Sequence, residues 1–395
     1  MRSEWKTVTV QELINEGMLE RPLDGNHGAI HPKSSDYVSS GVPFVMAADL
    51  INGRIDYSNC KYITSEQAAG LRKGIARPGD VLLTHKATIG RTALVDDSFN
   101  TIILTPQVTY YRVRNGLYNK FLKYYFDTEY FQRLFFSWAG SGSTRAYLGI
   151  TEQCKLPICF PSFPEQEAIA NTLSSLDDKI ELNNRINKNL EAQAQAIFKS
   201  WFVDFEPFQD GAFIDSDLGE IPKGWRAGVL SEVIEIKYGK DHKKLADGMI
   251  PVYGSGGIMR YADRALYESE SVLVPRKGTL NNVIYINTPF WTVDTMFYTK
   301  MKVSGAAKMV YFFLKSKDLA SMNAGTAVPS MTTDILNNIP MVIAPDTIIR
   351  QYDDLQKPLF EQMETLKKQN KTLSILRDTL LPKLMSGEIQ IPQEV

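Results

Sequence analysis

The chain has 395 residues, of which 44% are hydrophobic and 23% are charged, and its formal net charge is −1 at pH 7. This composition excludes an intrinsically disordered chain, and the charge excludes a uniformly basic protein that coats nucleic acid without sequence preference. The length allows two or more domains. No apolar run reaches the length of a membrane span, no signal peptide opens the sequence, and three cysteines suit a reducing compartment. We therefore expect a cytoplasmic protein that does not enter a membrane.

The first predicted domain, residues 1–164, combines short strands with a helix dense in aromatic residues. Runs rich in β-branched and aromatic residues predict strands at Val81–Thr84, Thr101–Leu104 and Val108–Val113. An amphipathic stretch predicts a helix at Leu117–Phe136. This combination is typical of a mixed α+β domain.

A long helix is predicted at residues 165–205, where apolar residues recur at spacings that alternate between four and three. This is the spacing of a coiled-coil seam, and no glycine or proline interrupts it. Two seam positions are polar, Asn183 and Asn187. A buried asparagine in such a seam costs stability but fixes the register and the partner.

A linker, residues 206–217, leads to a second predicted domain at residues 218–345. The strand and helix signals of this domain lie at Val272–Pro275, Val283–Ile286, Met296–Thr299 and Ala307–Leu319. A second long helix, residues 346–386, and a tail, residues 387–395, follow. The predicted fold class is therefore α+β, with two similar mixed α/β globular domains that are each followed by a long helix.

The second long helix repeats the heptad pattern of the first. Its predicted seam consists of leucines seven residues apart and of the positions between them: Leu359, Leu366, Leu373 and Leu380, with Leu355, Gln362, Gln369 and Leu376. If the two helices pair as an antiparallel coiled coil, the amides of Asn183 and Asn187 meet those of Gln362 and Gln369 and satisfy them. The alternative is that each helix packs separately on a core of its own.

An internal duplication relates the two predicted domains. Four short anchors recur in the same order: 4–6 with 224–226, 42–45 with 250–253, 81–89 with 272–280, and 156–158 with 339–341. The offset between matching anchors falls from 220 to 183, so the first copy carries the longer connections. The added residues fall mainly in stretches rich in turn signals, which indicates that they are loops. Two copies of one scaffold with different loops suit a molecule that reads two different targets.

The sequence offers no pattern that predicts catalysis or metal binding. His27 and His31 are four residues apart, but Gly28 and Pro32 argue against the helix that would place both on one metal. The stretch Tyr253-Gly254-Ser255-Gly256-Gly257 resembles a nucleotide-binding loop, yet no amphipathic helix follows it, and a tight turn is the better interpretation. We therefore predict no catalytic residue, no metal ligand and no cofactor bound by this chain.

Two matching loops carry the candidate binding residues. The loop after the predicted strand at Val81–Thr84 contains Lys86, Thr88 and Arg91. The matching loop contains Arg276, Lys277, Thr279, Asn281 and Asn282, and a further candidate, Arg145, follows a run of small residues. Cations, hydroxyls and amides of this kind contact phosphates and base edges in DNA. The alternative is that each loop is a solvated turn with incidental charge.

These features resemble the specificity subunit of type I restriction–modification systems. The resemblance lies in the entry to the first long helix (Leu156-Pro157-Ile158 with Phe163-Pro164-Glu165-Gln166-Glu167), its exit (Ala196 to Pro207), the start of the second copy (Ile221-Pro222-Lys223-Gly224-Trp225) and a strand and loop (Gly79 to Leu83 with Ile89-Gly90-Arg91). The sequence departs from the family pattern where Ala87 stands in place of a frequent glycine. The entry to the second helix also lacks the Pro-Glu-Gln of the first.

The resemblance implies a non-catalytic subunit that binds double-stranded DNA, with each domain reading one half of a split target. It also implies that the helices act as a spacer and dock two methyltransferase subunits, which bind S-adenosylmethionine. Restriction subunits that cleave DNA with ATP are a further partner of this family, and the sequence leaves their presence here open. Two alternatives are a coiled-coil scaffold that joins two adaptor domains without binding DNA, which the near-neutral charge favours, and a catalytic fusion, which the missing motifs oppose.

Overall fold

The structure, a computed structural model, describes residues 5–140, 146–323 and 329–391. The chain forms two units. The first unit comprises Met1–Leu182 and Gln369–Val395, and the second comprises Asn183–Lys368. Both boundaries fall inside long helices, so each unit combines one globular domain with part of each long helix.

The first unit contains twelve strands and five short α-helices among its described residues. The strands are β1 Lys6–Thr9, β2 Leu23–Asp24, β3 Val42–Val45, β4 Leu50–Ile51, β5 Arg54–Ile55, β6 Lys61–Ile63, β7 Ile75–Ala76, β8 Val81–Thr84, β9 Thr92–Leu94, β10 Ile102–Leu104, β11 Val108–Tyr111 and β12 Pro157–Phe160. The helices are α1 Val10–Asn15, α2 Ser65–Ala69, α3 Asn119–Asp127, α4 Glu129–Trp138 and α5 Ile150–Gln153, and the long helix α6 follows at Phe163–Phe202.

The second unit has the same kind of composition. Its strands are β13 Phe213–Ile214, β14 Ile221–Pro222, β15 Arg226–Val229, β16 Ile234–Tyr238, β17 Ile250–Gly254, β18 Gly257–Ala262, β19 Ser271–Pro275, β20 Ile284–Ile286, β21 Trp291–Thr292, β22 Met296–Met301 and β23 Pro340–Ile343. Its short helices are α7 Ala307–Lys315 and α8 Thr333–Asn337, and the second long helix is α9 Asp346–Met385.

The aromatic stretch of the first unit forms two helices, where the sequence predicted one. The break is at Thr128, whose backbone is extended and whose hydroxyl accepts a hydrogen bond from the N–H of Phe131 at 3.2 Å. Threonine is a preferred N-cap, so it ends α3 and begins α4. The rings of Phe126, Phe131 and Phe135 stack in series and are fully buried against the sheet. This core accounts for the density of aromatic residues in the sequence.

Strand pairing confirms the internal duplication. In the first unit β1 pairs antiparallel with β12, and in the second β15 pairs antiparallel with β23 in the same register relative to the anchors. One four-stranded sheet has the order β2-β11-β8-β9, and its counterpart has the order β16-β22-β19-β20. Each unit also contains a second sheet with one parallel pair, β3 with β10 and β17 with β21. The two domains are therefore copies of one topology.

The long helices run antiparallel within each unit. In the first unit Nη1 of Arg377 on α9 donates to Oδ1 of Asp177 on α6 at 2.6 Å, and Leu173 shares a core with Leu384. In the second unit Nε2 of Gln356 on α9 donates to the backbone oxygen of Ala194 on α6 at 3.0 Å. The predicted antiparallel helix pair is thus confirmed in both units, with α6 beginning at Phe163 and α9 at Asp346.

The predicted seam of α9 was wrong by one residue at its interleaved positions. Leu355, Gln362, Gln369 and Leu376 are exposed, whereas Gln356 and Met363 are buried. Leu366 is buried, and Leu359 and Leu373 are partly buried. The predicted positions and the positions one residue later both give spacings that alternate between three and four. Burying Met363 removes apolar surface from water, whereas a buried Gln362 would need a hydrogen-bond partner.

The two polar seam positions of α6 are buried to different extents. The side chain of Asn183 is fully buried and Asn187 is half-buried. Gln362 and Gln369 are exposed, whereas the prediction placed both in the buried seam. The buried amide on α9 is instead that of Gln356, which donates to a backbone oxygen of α6.

This register predicts different costs for two adjacent substitutions. Met363→Ala should lower the free energy of unfolding by about 2–5 kcal/mol, because it removes a buried side chain from the helix seam. Its matched control, Gln362→Ala, should change that free energy by no more than about 0.5 kcal/mol, because the side chain is exposed. Urea unfolding followed by tryptophan fluorescence measures both values. If Gln362→Ala lowered the free energy of unfolding as much as Met363→Ala, or more, the register predicted from the sequence would be the correct one.

Candidate nucleic-acid interface

The first basic loop, residues 85–91, follows strand β8. The N–H of His85 donates to the backbone oxygen of Gln107 at 2.9 Å, and its ring Nδ1 lies 3.0 Å from the backbone oxygen of Leu148. Lys86 forms a β-bridge with Tyr147, and Ala87 has a positive φ of 64°. These contacts fix the backbone and leave the side chains of Lys86 and Thr88 exposed.

The second basic loop, residues 276–282, follows strand β19 and repeats this geometry. The N–H of Arg276 donates to the backbone oxygen of Thr295 at 2.8 Å. Lys277 forms a β-bridge with Ser330, and Gly278 has a positive φ of 88°, as Ala87 has in the first loop. Lys277 and Thr279 are exposed. The duplication therefore extends from the strands to the conformation of the loops.

The exposed cations are available for a ligand. Among the residues that the structure describes, neither Lys86 nor Lys277 forms an ion pair or a side-chain hydrogen bond. Each lies one residue before the position with positive φ and two residues before an exposed threonine. An unpaired lysine beside a hydroxyl on a fixed loop suits a phosphate oxygen, which accepts hydrogen bonds from both groups.

The two loops differ at the position before the lysine. Burial lowers the pKa of His85 from its usual range, so the imidazole is neutral at pH 7 and carries no charge to a ligand. Its counterpart, Arg276, keeps its charge at the surface. Its guanidinium lies 5.4 Å from the ring centroid of Tyr238, which is half exposed, and Nη1 donates to the backbone oxygen of Asp294 at 3.2 Å. At this position the second loop therefore presents an oriented guanidinium, where the first loop has a buried neutral imidazole.

Three of the predicted binding residues are engaged by the protein itself. Nη1 of Arg91 lies 3.3 Å from the backbone oxygen of Ala47 and 3.4 Å from those of Ala48 and Leu50. Nδ2 of Asn281 donates to the carboxylate of Asp318 at 3.1 Å, and its Oδ1 accepts from the N–H of Ala320 at 2.9 Å. Nδ2 of Asn282 donates to the backbone oxygen of Ser255 at 2.8 Å. These three side chains hold parts of the protein together, and their contact with a ligand stays a prediction.

The remaining sequence predictions concern Arg145, the histidine pair, metal binding and membrane helices. Arg145 lies outside the described residues. His27 contacts Asp24 at 2.8 Å and Nδ1 of His31 lies 3.1 Å from the backbone oxygen of Asn26, so the two rings serve different partners. Over the described ranges, no group of three or more His, Cys, Asp or Glu side chains could hold a metal ion. In the same ranges, no helix combines the length and apolarity needed to cross a membrane.

Sequence reasoning missed two neighbours of the second basic loop. Tyr238 ends β16 and approaches Arg276 because β16 and β19 both pair with β22. The glycine-rich stretch at Tyr253–Gly257 is a hairpin turn between β17 and β18, as predicted, but it also contacts this loop through Ser255. Both neighbours are distant in sequence from residue 276, and only strand pairing brings them close.

The two loops give a matched prediction on backbone strain. A residue with a Cβ at positive φ destabilises the folded state by about 1–2 kcal/mol. This exceeds the stability that is lost because glycine gives up more conformational entropy on folding. Ala87→Gly should therefore raise the free energy of unfolding by about 0.5–1 kcal/mol. Gly278→Ala should lower it by about 1–2 kcal/mol or more, because its Cβ would also lie 2.8 Å from Oγ of Ser255. Urea unfolding of both variants checks the prediction, and two changes of the same sign would contradict it.

Comparisons with known proteins agree on one family. The sequence profile described as "Type I restriction modification DNA specificity domain" matches residues 2–192 and 222–376. The MjaIX specificity subunit of a type I restriction enzyme from Methanocaldococcus jannaschii is 26% identical over 394 residues, covering 91% of this chain and 90% of that protein. The HindI specificity subunit from Haemophilus influenzae is 25% identical over 439 residues, covering 88% and 94%.

A solved structure shows the same fold. The crystal structure of the S subunit of a type I restriction–modification system from M. genitalium superposes with a TM-score of 0.59. The match covers 100% of this chain and 98% of that chain at 17% sequence identity. At this identity the similarity concerns the fold alone.

Proposed function

The chain belongs to the type I restriction–modification DNA specificity family, and from that premise we propose that it is the DNA-recognition subunit of such a complex. In this proposal each globular domain reads one half of a bipartite double-stranded target. The chain itself performs no chemistry. It directs methyltransferase subunits to the sequence that they modify.

One observation supports this proposal more than any other: the two units present the same loop conformation with an exposed lysine at the same position. Lys86 and Lys277 each precede a residue with positive φ and each belong to a loop held by a β-bridge. A duplicated scaffold with two matching cationic loops suits a ligand that offers two similar charged surfaces, as the phosphate backbone of a duplex does. The near-neutral charge of the whole chain is compatible with this, because the cations are local.

The difference between the loops supports two different half-sites. An arginine whose plane is fixed can donate two parallel hydrogen bonds to O6 and N7 of guanine in the major groove. Arg276 has such support from Tyr238 and from the backbone of Asp294, while the matching His85 is buried and neutral. We infer that Arg276 contributes to base reading in the second half-site only.

Partner subunits complete the proposed complex. Two methyltransferase subunits dock on the helix pair and bind S-adenosylmethionine, and restriction subunits that use ATP join where the system cleaves DNA. No cofactor is bound by this chain, and the complex works in the cytoplasm, where the DNA is. The family membership and the two long helices support these assignments.

Salt dependence tests the role of the two lysines. Lys86→Ala and Lys277→Ala should each weaken DNA binding and reduce the slope of log affinity against log salt by about one unit, because each removes one phosphate contact. Lys223→Ala, which removes an exposed lysine outside both loops, is the control and should leave the slope unchanged. Fluorescence anisotropy of labelled duplex over a range of salt concentrations, with methyltransferase subunits present, measures this. If the wild-type chain assembled with those subunits but bound no duplex, DNA recognition would be excluded. The chain would then be a coiled-coil scaffold that joins two adaptor domains.

Domain exchange tests the division of labour. Replacing residues 1–155 with the equivalent region of a relative should change one half-site and leave the other as it was. This is expected because the sheets of the second unit contain no strand from residues 1–155. Sequencing of methylated adenines in cells that carry the hybrid identifies both half-sites. A change in both half-sites would show that the domains do not read independently.

A further inference from the structure

Gly256 lies at the tip of the hairpin between β17 and β18. Its neighbour Gly257 has a positive φ of 113°, which explains the second glycine of the pair. Gly256 itself has no positive φ, and a Cβ built on it would meet nothing within 4 Å. Neither backbone conformation nor packing therefore requires glycine at position 256.

Gly256 is unique in this respect among the glycines that the structure describes. Each of the others has either a positive φ or an atom within 4 Å of the place that its Cβ would take. Glycine costs conformational entropy on folding, so one that the fold does not use is unfavourable by itself. A remaining use of glycine is to let another molecule approach the backbone closely. The open side of Gly256 faces outward, since the residue is exposed.

The second basic loop borders this turn. A Cβ on Gly278 would lie 2.8 Å from Oγ of Ser255, and Nδ2 of Asn282 donates to the backbone oxygen of Ser255 at 2.8 Å. The turn and the loop that carries Lys277 therefore form one surface. Asn282, which the sequence proposed as a binding residue, acts here by holding the two segments together.

The same surface combines a free donor with a free charge. Among the described residues, the N–H of Gly256 donates to no other group, and the side chain of Lys277 has no ion pair. A backbone N–H with an unobstructed approach and an adjacent lysine are the groups that proteins use to hold a phosphate of DNA. They are less suited to a base edge, because a lone backbone donor does not distinguish one base pair from another.

We propose that the turn at Ser255–Gly257, together with Lys277, binds one backbone phosphate of the second half-site. This inference rests on the proposed function and adds a contact that fixes the position of the second domain on the duplex. Among its described residues, the first unit has no equivalent turn after the matching strand β3. The segment after β3 is a 3₁₀ helix at Ala47–Asp49, and Nη1 of Arg91 lies against its carbonyl oxygens. The phosphate site is therefore specific to the second half-site.

The variant Gly256→Ala separates binding from folding. The added methyl group has free space and an ordinary φ, so the unfolding transition should not move. Alanine keeps the backbone N–H, but its methyl group occupies the space through which the phosphate approaches. Affinity for a duplex that carries the mapped target should therefore fall about tenfold, the worth of one charge-assisted hydrogen bond. Gly70→Ala is the matched control: Gly70 is also exposed, its φ is −77°, and its nearest neighbour would lie 3.4 Å from the new Cβ. Anisotropy of the full-length chain assembled with methyltransferase subunits gives the affinities.

A neutral phosphate analogue locates the contact. Single methylphosphonate groups placed along the second half-site should weaken wild-type binding strongly at one phosphate. Gly256→Ala should lose little further affinity there, because its contact with that phosphate is already gone. Replacing base pairs of the target should affect wild type and variant equally.

The outcomes are distinct. If wild type binds the target and Gly256→Ala binds equally well, the phosphate site is overturned and the proposed function stands. A loss of affinity that follows base identity rather than one phosphate also overturns the site. If wild type in the assembled complex binds no duplex, the proposed function and the site fall together.

Discussion

Each domain is closed by the pairing of its first strand with the strand that precedes its long helix. β1 pairs with β12, and α6 begins three residues after β12 ends; β15 pairs with β23, and α9 begins three residues after β23 ends. The antiparallel ladder therefore fixes both the closure of the domain and the point where the helix leaves it. The basic loops and the turn at Ser255 depend on this arrangement, because the strands that carry them lie in sequence between the two strands that pair.

Charged groups attach each domain to the long helices. In the first unit Asp177 on α6 accepts hydrogen bonds from Tyr124 of α3 and from Arg377 of α9, both at 2.6 Å. In the second unit Glu191 on α6 accepts from Tyr311 of α7 at 2.8 Å and also binds Lys315. A partly buried carboxylate shared by several donors contributes little net stability but penalises other registers strongly, because a shift would leave the charge unpaired. Of these contacts, the one between Arg377 and Asp177 joins α9 directly to α6, whereas those of Glu191 join α6 to α7.

The sequence predicted the architecture well because its signals are local or periodic. Strand patterns, the heptad repeat and the ordered anchors each extend over several residues, and the structure confirms the duplicated α+β domains and the antiparallel helices. The errors have a common cause. Gln362 and Met363 fit the same spacing, and only three-dimensional packing decides which is buried. For Asn281, Asn282 and Arg91, residue type reported a capacity for hydrogen bonding but not the partners Asp318, Ser255 and Ala47, which are distant in sequence. The support of Arg276 by Tyr238 had no sequence signal for the same reason.

The first unit is discontinuous in sequence, and this affects how the protein is made. Its apolar core includes Leu384 and Met385, which leave the ribosome only after every residue of the second unit. The second unit is continuous from Asn183 to Lys368, so all its residues have emerged before the last helical segment of the first unit appears. The domain that is translated first therefore completes its core last. Until then, the apolar residues Ile169 and Leu173 lack part of the core that they share with the end of α9 in the folded protein.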